Sequence, residues 1–318
     1  MGLLLRASLA SWQPKLFGDS SISHSLAFPF SPCVSQEAKA NLIYGIADDN
    51  IIYQVSTNTK SATPVFNTGL SGSSNAFAYD AARNDFFFVA PNRTLQFWNG
   101  AQTLTQVASR SQLGLSSDPN IVNGYQPESA AYYNNAFWFV NENRNRLTQI
   151  KLDYTNPNVP TFASKLVYDI AHLPASGYGD IAINANTGML YGATETGLFY
   201  SLNLNGDANS IKNSFTHIRT GNPTLQLAFS ADYSVLYGQK YDGGIWSTVN
   251  VTTGAVTHIN GFTTPIVNGH AFRDLGGSAV SPPGPPLPVP GPLPIIGATA
   301  ALAWSRKLRS RLALSSES

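Results

Sequence analysis

"DIAINANTGMLYGATETGLFYSL", Asp180 to Leu202, is the stretch whose reading decides the fold. An apolar run around Ala182 meets the polar turn "NANTG". A second run, "MLYGA", then gives way to "TETG" and a third, "LFYSL". Turn residues set between β-branched and aromatic runs read as successive antiparallel hairpins.

The same form recurs along the chain in "NAFAYDAARNDFFFVAPNRTLQFW", "SAAYYNNAFWFVNENRNRLTQI" and "QLAFSADYSVLYGQKYDGGIWST". A fifth copy is split between the ends, "GHAFRDL" near residue 270 and "NLIYGIADDNIIYQV" from Asn41. An Ala anchors each copy, at Ala78, Ala131, Ala182, Ala228 and Ala271, with spacings near the 40 to 50 residues of a propeller blade. The second runs center on Phe88, Phe139, Tyr191, Tyr237 and Tyr44, and the third on Phe97, Ile150, Tyr200, Trp246 and Tyr53. A weaker fourth run, such as "ATPVFNT", "SKLVYDI" or "AVTHING", completes a four-stranded sheet.

The sequence therefore predicts an all-β chain, a β-propeller of about five four-stranded blades. Joining the split copy closes the ring with strands from both ends and removes its open edges. A sixth blade, hidden in 109–127 or in the leader at Leu26-Ala27-Phe28, and a β-sandwich are the alternatives. The expected divisions are a leader over 1–40, a propeller over 41–277, a Pro-rich linker over 278–292, a short apolar segment over 293–304 and a basic tail over 305–318.

Composition bounds function. With 12% charged and 11% aromatic residues, the 318-residue chain can bury a core. Residues 41–280 hold 12 Lys and Arg against 15 Asp and Glu. An acidic body without a basic stripe argues against nucleic-acid binding, which needs clustered cations to neutralize phosphates. The single cysteine, Cys33, excludes an intrachain disulfide and a Cys-based metal site.

Both ends read as addresses. Ala38-Lys39-Ala40 sets small residues at −3 and −1, the pattern a signal peptidase accepts, so Asn41 becomes the expected mature start. Behind the polyproline stretch "SPPGPPLPVPGP", Leu293 to Trp304 as a helix would rise only about 18 Å, short of the roughly 30 Å hydrocarbon core. Arg306, Lys307, Arg309 and Arg311 follow, a cluster retained on the cytoplasmic side.

This Pro motif, apolar segment and basic cluster resemble the PEP-CTERM sorting signal of Gram-negative bacteria. Val289-Pro290-Gly291-Pro292 looks like the form in cyanobacterial members, with Gly291 where Glu is usual. The resemblance implies processing by an exosortase-type membrane protease, transient membrane contact through the C-terminal segment, and delivery to the cell envelope, outer surface or extracellular matrix. It covers roughly a tenth of the chain and names no activity.

Local catalytic signatures such as G-x-S-x-G, H-E-x-x-H and the P-loop are absent from the sequence. Polar side chains at the starts of the innermost strands should converge on the ring axis. Counting back from the anchoring Ala gives Asn75, Glu128, Asp180, Gln226, Asn268 and His270 as candidate ligand-binding residues. Glu128, Asp180 and Asn268 are the candidate metal ligands, their oxygens suited to Ca²⁺. The leading expectation is an exported binding or structural module without catalytic residues or cofactor, whose partner is an extracellular polysaccharide or protein. The alternative is a Ca²⁺-dependent, lactonase-like hydrolase with its site in the central channel. Asp48 and Asp49 read as turn residues, and Trp98, Trp138 and Trp246 as packing between blades.

Overall fold

A computed structural model of the chain describes residues 42–277, apart from 101–102, 116–126, 142–144, 175–176, 178, 265 and 267–268. The expected signal-cleavage residues Ala38 and Ala40 lie outside the described residues. So do the expected sorting residues Val289, Pro290, Gly291, Pro292, Arg306, Lys307, Arg309 and Arg311, and the candidate ligand Asn268.

The aromatic runs form strands and the polar turns connect them as hairpins. The first blade holds β1 (Leu42–Ala47), β2 (Ile51–Ser56) and β3 (Ser61–Asn67). The second holds β4 (Asn75–Asp80), β5 (Asp85–Val89), β6 (Leu95–Trp98) and β7 (Thr105–Ala108). In the third are β8 (Pro127–Tyr133), β9 (Ala136–Asn141), β10 (Arg146–Asp153) and β11 (Thr161–Asp169). The fourth comprises β12 (Ile181–Asn184), β13 (Met189–Ala193), β14 (Phe199–Asn203) and β15 (Thr216–Arg219). β16 (Gln226–Phe229), β17 (Leu236–Gln239), β18 (Ile245–Val249) and β19 (Val256–Thr263) make the fifth.

The last strand, β20 (Phe272–Gly277), pairs antiparallel with β1, so the first sheet runs β20-β1-β2-β3 and is built from both ends of the described chain. The result is a five-bladed propeller of four-stranded antiparallel sheets. Its innermost strands form a closed cycle: β20 packs on β4, β4 on β8, β8 on β12, β12 on β16 and β16 on β20.

The core lies between blades rather than within one. Phe87 of β5 joins Tyr132 and Phe137 of the next blade, and Ala228 and Trp246 join Phe272 and Leu275 across the closure. Trp98, Trp138 and Trp246 are all buried in these interfaces, as expected of packing between blades. Trp246 stacks on Phe262 at 4.8 Å and donates its indole N–H to Thr264 Oγ1 at 2.7 Å.

Register corrects the sequence alignment in three places. Ala182 opposes Tyr191 and Ala228 opposes Tyr237, but Ala78 opposes Phe87, not Phe88, and Ala131 opposes Trp138, not Phe139. In the closing blade the residue opposite Tyr44 is Gly276, not Ala271, which lies outside β20. Adjacent aromatic runs such as "FFFV" cannot disclose which ring faces which side, and a one-residue slip reverses the face. The small residue is required because inner strands crowd at the axis. A Cβ on Gly276 would lie 2.8 Å from the Phe77 ring, and one on Gly277 would lie 2.7 Å from the Phe229 carbonyl oxygen.

Candidate functional site

Inner strands that all run from one face toward the other bring their first residues to a common mouth. There Asn75 of β4, Glu128 of β8, Gln226 of β16, Arg273 of β20 and Tyr241 of the β17–β18 turn line a recess. Three of the sequence-predicted residues, Asn75, Glu128 and Gln226, are thus brought together. Arg273 and Tyr241 were missed.

Bulges aim several of these side chains. Between Asn75 and Ala78 the β4–β5 register shifts, and Ala76 takes a left-handed conformation with φ of 52°. A non-glycine residue rarely accepts positive φ, because its Cβ crowds the following carbonyl. The β8–β9 register shifts between Pro127 and Ser129, making Glu128 the inserted residue. In the β1–β20 pair Ile46 opposes Asp274 while Ala47 opposes Phe272, so Arg273 is the inserted residue there. Bulges of this kind re-aim a side chain away from the ladder, and three strands use one at the same end of the axis.

Arg273 is held from behind. Its Nε donates to Asp48 Oδ1, and the Tyr241 hydroxyl donates to Asp48 Oδ2. Burial works to raise the Asp48 pKa, but those two donors outweigh it and hold the carboxyl below its usual value. Burial and the bond to Asp48 push the Tyr241 phenol up to about 12. Asp48 therefore does more than shape its turn, whereas Asp49 accepts from the Ile51 amide at 3.0 Å and the Tyr53 hydroxyl at 2.7 Å, as a turn residue should. His270 sits beside the recess, stacked on Tyr241 at 4.7 Å and bonded through Nδ1 to Asp242 at 3.0 Å.

Asp180 goes elsewhere. It is fully buried and hydrogen-bonded to Asp274, which is equally buried. Asp180 also accepts from the amides of Ile181 at 2.6 Å, Leu227 at 2.9 Å and Leu275 at 3.4 Å. Asp274 accepts from Phe77 at 2.5 Å and Leu275 at 2.9 Å. Burial pushes both carboxyls upward, and for Asp274 the neighboring Asp180 charge adds to this. Two such carboxyls in hydrogen-bond contact hold one proton between them. Their acceptor oxygens tie β12 to β16, β20 and β4 around the axis.

Of the candidate metal ligands, Glu128 lines the recess and Asp180 belongs to the buried pair. No group of three or more His, Cys, Asp or Glu side chains is placed to hold a metal ion among the described residues. Farther along the axis a second, small cavity is lined chiefly by apolar groups including Ile181, Leu227, Leu275 and Gly276.

Arg273 and Asp274 escaped the sequence reading because Ala271 imitated the anchoring Ala. The signal that finds them is Gly276-Gly277: counting back from a small residue 48 positions after Ala228 lands on Asp274 and Arg273.

No family model and no curated protein matches the sequence. Solved structures share likeness in shape. A chain of the nidogen/laminin complex matches with a TM-score of 0.42 at 10% identity, over 74% of this chain and 96% of that one. Virginiamycin B lyase from Staphylococcus aureus gives 0.37 at 13% identity, over 72% of each chain. An auxiliary nutrient binding protein from Bacteroides thetaiotaomicron gives 0.44 at 11% identity, over 74% of this chain and 58% of that one. At these identities and TM-scores none of the three bears on what this chain does, and the five-bladed assignment rests on its own sheet order.

Proposed function

We propose that this protein is an exported propeller that binds a polar ligand at the mouth of its axis and is delivered to the cell surface or extracellular matrix by its PEP-CTERM-like tail. The observation that carries the binding half is the convergence of Asn75, Glu128, Gln226, Tyr241 and Arg273, drawn from four blades, on one recess. A concave site with a few converging polar groups is the usual form of a small-ligand site. Binding is better supported than hydrolysis, since the Asp180–Asp274 carboxyls are fully buried and bonded to backbone amides. The export half rests on the leader and tail motifs of the sequence.

Two measurements test it. Intact-mass analysis of protein from the envelope and matrix of the native host should find a chain lacking the leader and the basic tail; full-length chain confined to the cytosol would refute export. Purified protein should co-sediment with extracellular polymer of that host, and Asn75→Ala with Gln226→Ala should reduce retention at least fivefold. Equal retention of wild type and double variant would refute the recess as the binding site.

A further inference from the structure

The hydrogen-bonding inventory of the recess narrows its ligand, on the reading that the recess is a binding site. Arg273 engages Asp48 through Nε, which leaves the Nη1/Nη2 edge of the guanidinium for the recess it lines. That edge presents parallel donors, and its best complement is a carboxylate taken in bidentate fashion. Asp48 does not compete for the edge, being already matched by Arg273 and by the Tyr241 hydroxyl.

The rest of the lining asks for something different. Asn75 Oδ1 is buried and has no hydrogen-bond partner among the described residues. A buried carbonyl oxygen without a donor is unfavorable until one arrives. Asn75 and Gln226 are amides that can both donate and accept, Glu128 accepts when ionized, and the Tyr241 oxygen retains an accepting lone pair. Groups that donate and accept at once match hydroxyls, which do the same. An ammonium group only donates and would leave the Asn75 amide N–H group unanswered. The bulges at Glu128 and Arg273 and the left-handed Ala76 beside Asn75 show that the fold sets these side chains at the expense of regular pairing.

We propose that the recess binds a hydroxylated carboxylate of the uronic acid class, its carboxylate on the outer edge of Arg273 and its hydroxyls on Asn75, Glu128 and Gln226. The proposed ligand is a single uronate unit. Such a unit can be free or part of an acidic polysaccharide.

The test is calorimetric titration of the full chain with three probes: D-glucuronate, the uncharged methyl glucoside and zwitterionic alanine. Glucuronate should bind saturably, with the glucoside and alanine each at least tenfold weaker. Arg273→Gln should weaken glucuronate at least tenfold and leave the glucoside unchanged. Because Arg273→Gln loses its bond to Asp48 and can fail to fold, the wild-type comparison of glucuronate with glucoside stands by itself. Equal binding of glucoside and glucuronate would overturn the carboxylate contact while leaving the recess a binding site. Preference for alanine would overturn the hydroxyl assignment in the same way. If none of the three binds, the uronate class is refuted, and retention on host polymer still decides separately whether the recess binds at all.

Discussion

Asp180 and Asp274, both inaccessible to solvent, are hydrogen-bonded to each other at the propeller axis and accept the backbone amides of Ile181, Leu227, Phe77 and Leu275. They come from the fourth blade and the closing strand, so one shared proton stands at the point where the ring is tied.

Burial of this pair makes stability pH-dependent. Both carboxyls titrate above their unfolded values, so their stabilization is fully present below about pH 4 and is lost as pH rises through the folded value, about 7 for Asp180. In Asp274→Asn, an amide N–H replaces the shared proton. Relative to this variant, the wild type should lose on the order of 2 kcal/mol between pH 5 and pH 8. Chemical denaturation across that range checks it, and parallel curves for the two proteins would contradict it. Asp274→Ala should cost about 3 to 5 kcal/mol at pH 8, since it strands the buried Asp180 carboxylate and the Phe77 amide.

The axial glycines are expected to resist enlargement. Gly276→Ala forces a methyl toward the Phe77 ring and the Tyr79 backbone, and Gly277→Ala forces one onto the Phe229 backbone. Each should cost roughly 1 to 3 kcal/mol. The backbone clash at Gly277 should be the worse of the two, because a ring can tilt and a strand cannot. Melting temperatures of the two variants decide the order.

On the opposite face, Arg83 bonds to buried Asp80 at 2.8 Å and lies 4.1 Å over the Tyr154 ring. Asp85, directly across the ladder from Asp80, is pushed up to about 7 by burial and by the Asp80 charge. Its contribution is thus present at low pH and fades as pH rises through about 7. Arg83→Ala should destabilize the fold more at pH 8, where Asp85 is charged, than at pH 5. A pH-independent loss would argue that Arg83 acts through packing on Tyr154 alone.

Ring closure makes a sharp prediction about length. A chain ending at Gly277 keeps every strand of the five sheets and should unfold cooperatively near the wild-type temperature. One ending at Ala271 loses β20, its pairing with β1 and Asp274 together, and should not show a cooperative transition. Differential scanning calorimetry separates the two outcomes.

The amino-acid sequence alone determined the repeating hairpins, the five blades and the joining of the ends, because alternating aromatic runs and polar turns are local and recur at blade spacing. It also pointed to Asn75, Glu128 and Gln226, whose places follow from strand starts. Register and bulges were decided only by tertiary structure. Whether Ala271 or Gly276 meets Tyr44, and so whether His270 or Arg273 enters the recess, depends on how closely five strands can approach one axis. No local pattern carries that steric limit. Likewise, Asp48 and Asp274 look like ordinary turn and strand-end aspartates, and Asp180 like a ligand open to the channel, until the ring closes. Closure then sets Asp180 against Asp274 out of reach of water, and Asp48 behind Arg273.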